Sequence, residues 1–476
     1  MSIEGLCLEL KKAIGEEGVL SSISDRLIYS RDVTPILGKW LDSYAGQPYL
    51  CDCVVKPKDI SDILKVLRIA RKQKTAVTIY GGGSGSVGGV IPLSGGITID
   101  MSVFNKIISL DEESLTVEVE SGVIGQNLED FLNEKNLSLR HFPQSMRSAT
   151  IGGFVATRST GQFSTKYGGV EGYVVGLEVI LPNGKILRTS DKPRSSTGPD
   201  LNNIFIGSEG IFGIITKVIL KVYKIPEVIK YSSYIYKNID GGLDSIREIL
   251  QSELRPPVVR LYNEEESLQK FKKLGFSNKG CLLILCFEGK KELVEAEENI
   301  AKNICSNNGG KEIGGNFGEL WFENRFDTKH LSEKSEEFGG ICDAIEVSAS
   351  WSKIKKLSKE IENYFKQKNI ILAYHFSHAY TNGISVYNIF FANAENEGKA
   401  IDLYYQIWND VMQITLDNGG SISHHHGIGF VKIEMLKKEL GEGYELLKRL
   451  KKALDPDYLI NPDKLISKDN GHKVMK

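Results

Sequence analysis

Apolar residues recur at Ile60, Ile63, Leu64, Leu67 and Ile69–Ala70 within ISDILKVLRIARKQK, the spacing of one helix face. A short β-type run stands on each side: CDCVVK, Cys51 to Lys56, which ends at Pro57, and AVTIY, which ends at Tyr80. The pattern predicts strand, helix, strand, and then the loop GGGSGSVGG, Gly81 to Gly89. A short helical region is predicted earlier, from about Gly5 to Tyr29. Further on, GITIDMS and the alternating LTVEVESG read as strands, IGQNLEDFLNEKN as a helix, and IFGIITKVILKVY as a β-rich run up to Pro226. VVGLEVIL and KILRT, joined by Pro182-Asn183-Gly184, predict a hairpin.

The middle third changes character. YSSYIYKNIDGGLDSIREIL, GCLLILCFEGKKELVEAEENIAKNICSNNGG and EVSASWSKIKKLSKEIENYFKQKNIILAYHFSHAY each pass from strand to helix or back. NGISVYNIFFANA adds a strand, and KAIDLYYQIWNDVMQITLDNGG a helix. That alternation predicts a second layer, a sheet backed by helices. The tail LDPDYLINPDKL, with two prolines and short apolar anchors, reads as a docking segment. The expected class is α+β with two domains.

Composition narrows the function. The chain of 476 residues carries 59 Lys+Arg against 61 Asp+Glu, too even a balance for a polyanion binder, so no nucleic-acid partner is expected. The Lys-rich stretch from Lys432 to Lys452 reads as a solvated helix face in preference to a surface for anions. No apolar window is long enough to span a membrane, and the N-terminus lacks the apolar core of a secretory signal. The cytoplasm is the expected location, with peripheral membrane contact left open, and a homodimer is expected. Seven scattered cysteines fit free thiols in a reducing compartment, and Cys51 and Cys53 read as strand packing.

Glycine is abundant, with 48 residues, and clustered where backbone would approach a ligand. The loop after Tyr80 matches neither GxGxxG opening a helix nor GxxxxGK[ST], so a nicotinamide or NTP site is disfavoured. Two more segments rich in glycine and hydroxyls follow, Pro143 to Gly169 and Arg194 to Thr216. Three such loops in strand-rich sequence point to a large ligand containing a pyrophosphate.

ATIGGFVATRSTGQFSTKYGG, PRSSTGPDLNNIFIGSEG, SHHHGIG and the LDPDYLINPDKL tail carry a resemblance. From Pro48 to Pro226 the chain resembles the FAD-binding domain of the vanillyl-alcohol oxidase superfamily of flavoproteins. Its wording is similar to the alkyldihydroxyacetonephosphate (alkylglycerone-phosphate) synthase branch. The resemblance implies an N-terminal helical segment over 1–46, an FAD-binding domain over 47–227, a substrate-binding cap domain over 228–425 and a C-terminal return to the FAD domain over 426–476. It also implies a cradle for FAD. Ile79, Tyr80, Gly81, Gly82, Gly83, Ser84 and Gly85 would wrap the pyrophosphate. Gln144, Ser145, Ala149, Thr150, Gly153, Thr157, Ser159 and Thr160 would line the flavin. Glu209, Gly210 and Ile215 would hold the adenosine end. The loop 79–89 offers no His or Cys for covalent attachment, so the FAD is expected to be non-covalent.

The chain has eight histidines, and His424, His425 and His426 are consecutive. Neighbouring strand residues point to opposite faces, so at most two of the three could meet on one ion. Metal-binding relatives of the D-lactate and glycolate dehydrogenase type use a GHxGDGNxH segment and the Glu of Glu-His-Gly. Here the aligned segment is SHAYTNGIS; His378 remains, but Ser385 and His425 replace the other ligands. No metal is expected. Packing remains the bland alternative, and acid/base work beside the flavin is favoured. The resemblance agrees, and adds Tyr387 as proton donor and acceptor and Arg260 as an arginine needed for activity. It places His375 where the synthases carry a phosphate-binding arginine, which an imidazole does not replace. His375, His378 and Tyr380 then form a polar cluster fit for a carboxylate.

The expected function is exchange of an acyl group for an alkyl ether on a ketone phosphate through a flavin N5 adduct, without net redox change. The alternative is oxidation of a D-2-hydroxy acid by hydride transfer to N5. A third reading is an inactive FAD-binding subunit; the histidine triplet and Tyr387 count against it.

Overall fold

The computed structural model describes residues 2–34, 49–272, 275–277, 279–327 and 341–467. The expected domain boundary at 46/47 lies outside the described residues. Among the described residues, two larger sheets make the first half, with a two-stranded pair of Leu137–Ser138 and Tyr223–Lys224 beside them. One has four strands in the order Val19–Leu20, Cys53–Val55, Ile97–Asp100, Val77–Tyr80, the last three mutually parallel. The helix Ile60–Gln73 connects two of them, as parallel pairing requires. Asp59 caps its N-terminus by accepting from the Asp62 amide, and Ile63, Val66, Leu67 and Ala70 are buried along one side. Cys51 and Cys53 are fully buried, in keeping with packing.

The second sheet is antiparallel, in the order Ile107–Asp111, Thr116–Glu120, Ile214–Lys221, Val174–Ile180, Ile186–Arg188. Its last pair is the predicted hairpin, and Gly184 takes the left-handed φ of 83° that the turn needs. The N-terminal region departs from the expected helix. It holds two helices, Ile3–Ile14 and Ile23–Ile28, around a short strand that pairs with Cys53–Val55. Gly15 interrupts the helix with a φ of 93°.

The largest sheet among the described residues carries the cap. Seven antiparallel strands run in the order Lys311–Gly314, Val228–Tyr236, Cys281–Gly289, Val258–Tyr262, Ile371–Tyr380, Gly383–Ala392, Ile341–Ser350. Amphipathic helices Ile239–Gln251, Lys291–Asn307, Trp351–Gln367 and Glu397–Asp417 back it with faces such as Leu243, Ile246, Ile249 and Leu250. The tail docks on the first sheet: Val77 donates to Leu459 O at 2.8 Å and Asn461 donates to Val77 O at 2.7 Å. The Lys-rich stretch forms helices Ile433–Leu440 and Glu442–Leu454, but it is not merely a solvated face. Lys432 and Lys451 are buried, and Lys451 Nζ ties Ile211 O, Ile460 O and Asp455 together.

Candidate active site

One cavity of about 710 Å³ runs from the glycine loop to the cap sheet. Strand Val77–Tyr80 delivers the loop, and Asn461 fixes its root: Oδ1 accepts from the Ile79 amide at 2.9 Å and Nδ2 donates to Glu209 O at 2.7 Å. The amides of Gly82, Gly83, Ser84, Gly85 and Ser86 donate to no protein group among the described residues. Gly81 to Ser86 line the cavity. A β-carbon on Gly82 would lie 2.0 Å from Ser148 O, so only glycine lets this loop close on the opposite wall. Unpaired amides on a glycine turn suit the phosphates of a dinucleotide, and the residues present fit FAD.

Ile79, Gly81, Gly82, Gly83, Ser84, Gly85, Gln144, Ser145, Ala149, Thr150, Gly153, Thr157, Ser159, Thr160, Glu209, Gly210 and Ile215 all line the cavity. Tyr80 does not: its ring packs edge-on against Tyr29 at 5.0 Å, and alternation along the strand turns it away. The Glu209 carboxylate is not free for the adenosine end. It accepts from the amides of Ile428 at 2.6 Å and Gly429 at 2.7 Å, and so holds the turn that follows the histidines.

The cap supplies the other wall. Tyr262, His375, Tyr387 and Glu346 stand opposite one another across four neighbouring strands, so their side chains form one row. The rings of His375 and Tyr387 stack at 5.2 Å. His375 Nδ1 donates to Glu266 at 2.9 Å. Burial holds the imidazole below its usual pKa, so it stays neutral, and Glu266 is kept ionised against burial by His375 first, then by Lys270 and Arg260. Arg260, Lys270 and Arg325 all line the cavity. Arg260 lies over the Trp321 ring at 5.1 Å. The phenol of Tyr387 is pushed well above its usual pKa by burial, and its hydroxyl has no protein partner among the described residues.

The histidine triplet arrives on the loop after helix Glu397–Asp417. Glu346 organises it, accepting from the amides of His424 and, at 3.0 Å, His426, and from Ser423 Oγ at 2.9 Å. Lys432 Nζ lies 3.6 Å from the same carboxylate, and both residues are fully buried. Burial alone would favour neutral Glu346, but Lys432 and the imidazoles hold it well below the carboxylate range. Burial lowers His424 and His425 to about 3 and His426 to about 4. The imidazoles are therefore neutral near pH 7, and Lys432 is the effective counter-charge.

His378 sits at a bulge between Ser377 and Ala379 with a φ of 53°, which re-aims its ring into the cavity. Ser164 Oγ meets its Nδ1 at 2.7 Å. His375, His378, Tyr387, Arg260, His425 and His426 thus converge on one cavity. His424 and Tyr380 do not border it; they bond to each other behind it at 2.8 Å. No group of three or more His, Cys, Asp or Glu among the described residues is disposed to hold a metal ion. Sequence reasoning missed Glu266, Lys270, Arg325, Glu346, Lys432 and Asp343, a carboxyl on the cavity wall that accepts from Tyr404 at 2.8 Å and Trp408 at 3.2 Å. The one signal for Glu346 is a lone charge in the strand-forming AIEVSAS.

Comparison with known proteins gives a consistent picture. The profile of the FAD binding domain family matches residues 51–190, and that of FAD linked oxidases, C-terminal domain, matches residues 225–465. The chain is 32% identical over 470 residues to the FAD-linked oxidoreductase YgcU of Escherichia coli O157:H7, covering 95% of this chain and 96% of that one. It is 30% identical over 449 residues to an alkyldihydroxyacetonephosphate synthase of Dictyostelium discoideum, covering 87% of this chain and 73% of the relative. A solved alkyldihydroxyacetonephosphate synthase structure superposes with a TM-score of 0.80 at 26% identity, covering 96% of this chain and 84% of the other.

Proposed function

The chain belongs to the FAD-linked oxidase family, and from that premise we propose that it exchanges an acyl group for an alkyl ether on a ketone phosphate without net redox change. The observation that carries this reading is Tyr387, whose unpaired phenol faces the cavity with neutral imidazoles beside it. Bound FAD would supply a ring able to take up a substrate carbon or a hydride. Everything else is the work of side chains.

Tyr387 stays protonated at neutral pH and can donate to a ketone oxygen or lend its proton. His425 and His426, at 6.0 Å and 5.6 Å from that ring between centroids, are neutral and can accept a proton. Arg260, Lys270 and Arg325 can hold the anionic group of the substrate. This answers the loss of an arginine at His375, because the cavity keeps two guanidinium groups and an ammonium. The glycine loop brings no His or Cys to the FAD, and no cysteine among the described residues lines the cavity, which supports non-covalent binding.

A second reading, hydride transfer from a D-2-hydroxy acid, is favoured by the His375–Glu266 pair: with Nδ1–H spent on Glu266, the neutral ring presents Nε2 as a fixed acceptor for the hydroxyl proton. Anaerobic mixing separates the two. Bleaching of the flavin band by D-lactate, glycolate or D-2-hydroxyglutarate would establish dehydrogenation and end the exchange reading. Oxidised flavin that persists with these acids, yet changes its spectrum with an acyl ketone phosphate, supports exchange. Acid precipitation that leaves the colour in solution supports dissociable FAD.

A further inference from the structure

Tyr380 and His424 do not line the cavity, yet His424 bonds to a residue that does. His425 lines it, and its Nδ1 lies 3.0 Å from His424 Nδ1. His424 Nε2 in turn lies 2.8 Å from the Tyr380 hydroxyl. Two ring nitrogens at that distance share one proton, so one ring carries Nδ1–H and the other accepts it. The neutral His424 therefore uses both nitrogens in one line of bonds. His378 stacks on the His424 ring at 5.1 Å and 22°, and the Ser164 bond to His378 keeps that stack in place. Tyr380 is partly exposed, and Arg158 and Glu171, paired at 3.6 Å on the surface, are the charges nearest to affect it.

We propose that His424 and Tyr380 form a proton relay between His425 and solvent. It rests on the reading of His425 as a cavity acid/base group and is independent of which substrate is used. A substrate proton arrives at His425 Nε2. The Nδ1 proton of His425 passes to His424 Nδ1, the Nε2 proton of His424 passes to the Tyr380 oxygen, and the phenol releases its own proton to solvent water. Each group ends with the number of protons it began with, and both rings end in the opposite tautomer. The reverse sequence returns a proton to substrate and resets the line. His424 and Tyr380 thereby act through His425 and are positioning and relay residues, not substrate contacts.

The test uses the full chain, first without substrate. Long-range proton–nitrogen spectra of ¹⁵N-labelled protein read the protonation of each ring nitrogen. His424 and His425 are expected in opposite tautomers, and Tyr380→Phe is expected to move the signals of both. Identical tautomers, or a change at His424 alone, overturns the relay. With substrate, Tyr380→Phe is expected to slow the proton-dependent step about tenfold or more and to raise its solvent deuterium effect, with KM unchanged. A Tyr380→Phe enzyme with native rate and native isotope effect overturns it as well. A chain that takes up no FAD defeats the functional reading, and the spectra still decide the relay.

Discussion

Glu346 and Tyr387 stand opposite each other on adjacent antiparallel strands, one holding the histidine loop and the other facing the cavity. The loop and the phenol therefore share one rigid support, and a change at Glu346 reaches the chemistry through the backbone of His424 and His426.

Glu346→Gln leaves Lys432 buried without its counter-charge. We expect a loss of about 3–5 kcal/mol in stability, read by urea denaturation. The double change Glu346→Gln with Lys432→Met should recover a large part of it. Equal losses in the single and double variants would refute the coupling.

Tyr387→Phe removes a hydroxyl with no protein partner among the described residues, so the fold should tolerate it with a change under about 1 kcal/mol. Turnover should fall by roughly 10²-fold or more, with FAD uptake unchanged. An active Phe enzyme would move the proton chemistry to the histidines.

Stability should fall in mild acid. His378, His424, His425 and His426 are held neutral by burial, while in the unfolded chain each titrates near its ordinary value of 6.5. Below that pH the unfolded chain binds protons that the folded chain refuses, so each imidazole lowers stability as pH drops from 6.5 towards about 4. Asp343 opposes this. Burial raises its pKa from 3.8 to about 6, so it favours the folded chain as pH falls through that window. His141 and His375 add to the loss, buried Asp32, Glu129 and Glu209 oppose it alongside Asp343, and with the imidazoles in the majority the net loss by pH 5 should be roughly 3 kcal/mol or more. Urea midpoints at pH 7.5 and pH 5 measure it; equal midpoints would show that the imidazoles charge within the fold.

Gly82→Ala forces a β-carbon against the Ser148 carbonyl, 2.0 Å away in the undisplaced backbone. The two walls must separate, and FAD affinity should drop at least about tenfold, a cost of ~1.4 kcal/mol. Flavin fluorescence titration of the stripped protein reads it directly. Native affinity would mean that the loop lies outside the cradle.

Legibility in the sequence followed the range of the interactions. The hairpin around Gly184, the helix Ile60–Gln73 and the glycine loop announce themselves through periodicity and turn chemistry within a few residues. The histidine triplet stands out because three adjacent imidazoles are rare in packing. Glu346, by contrast, meets His426 from 80 positions away, and nothing local marks a strand glutamate as an anchor. Tyr380 shares a strand end with His375 and His378 in the sequence, but past the bulge at His378 it does not line the cavity that both histidines border. Lys432 and Lys451 looked like surface charge because composition does not tell which lysine of a run turns inward.

Asn461 has a consequence for the order of events in synthesis. It closes the root of the glycine loop across 382 positions of chain, bonding to Ile79 and, through the other end of its amide, to Glu209. A ribosome releases Ile79 and Glu209 long before Asn461. The glycine loop of a nascent chain therefore lacks the latch at its root until translation has passed the tail.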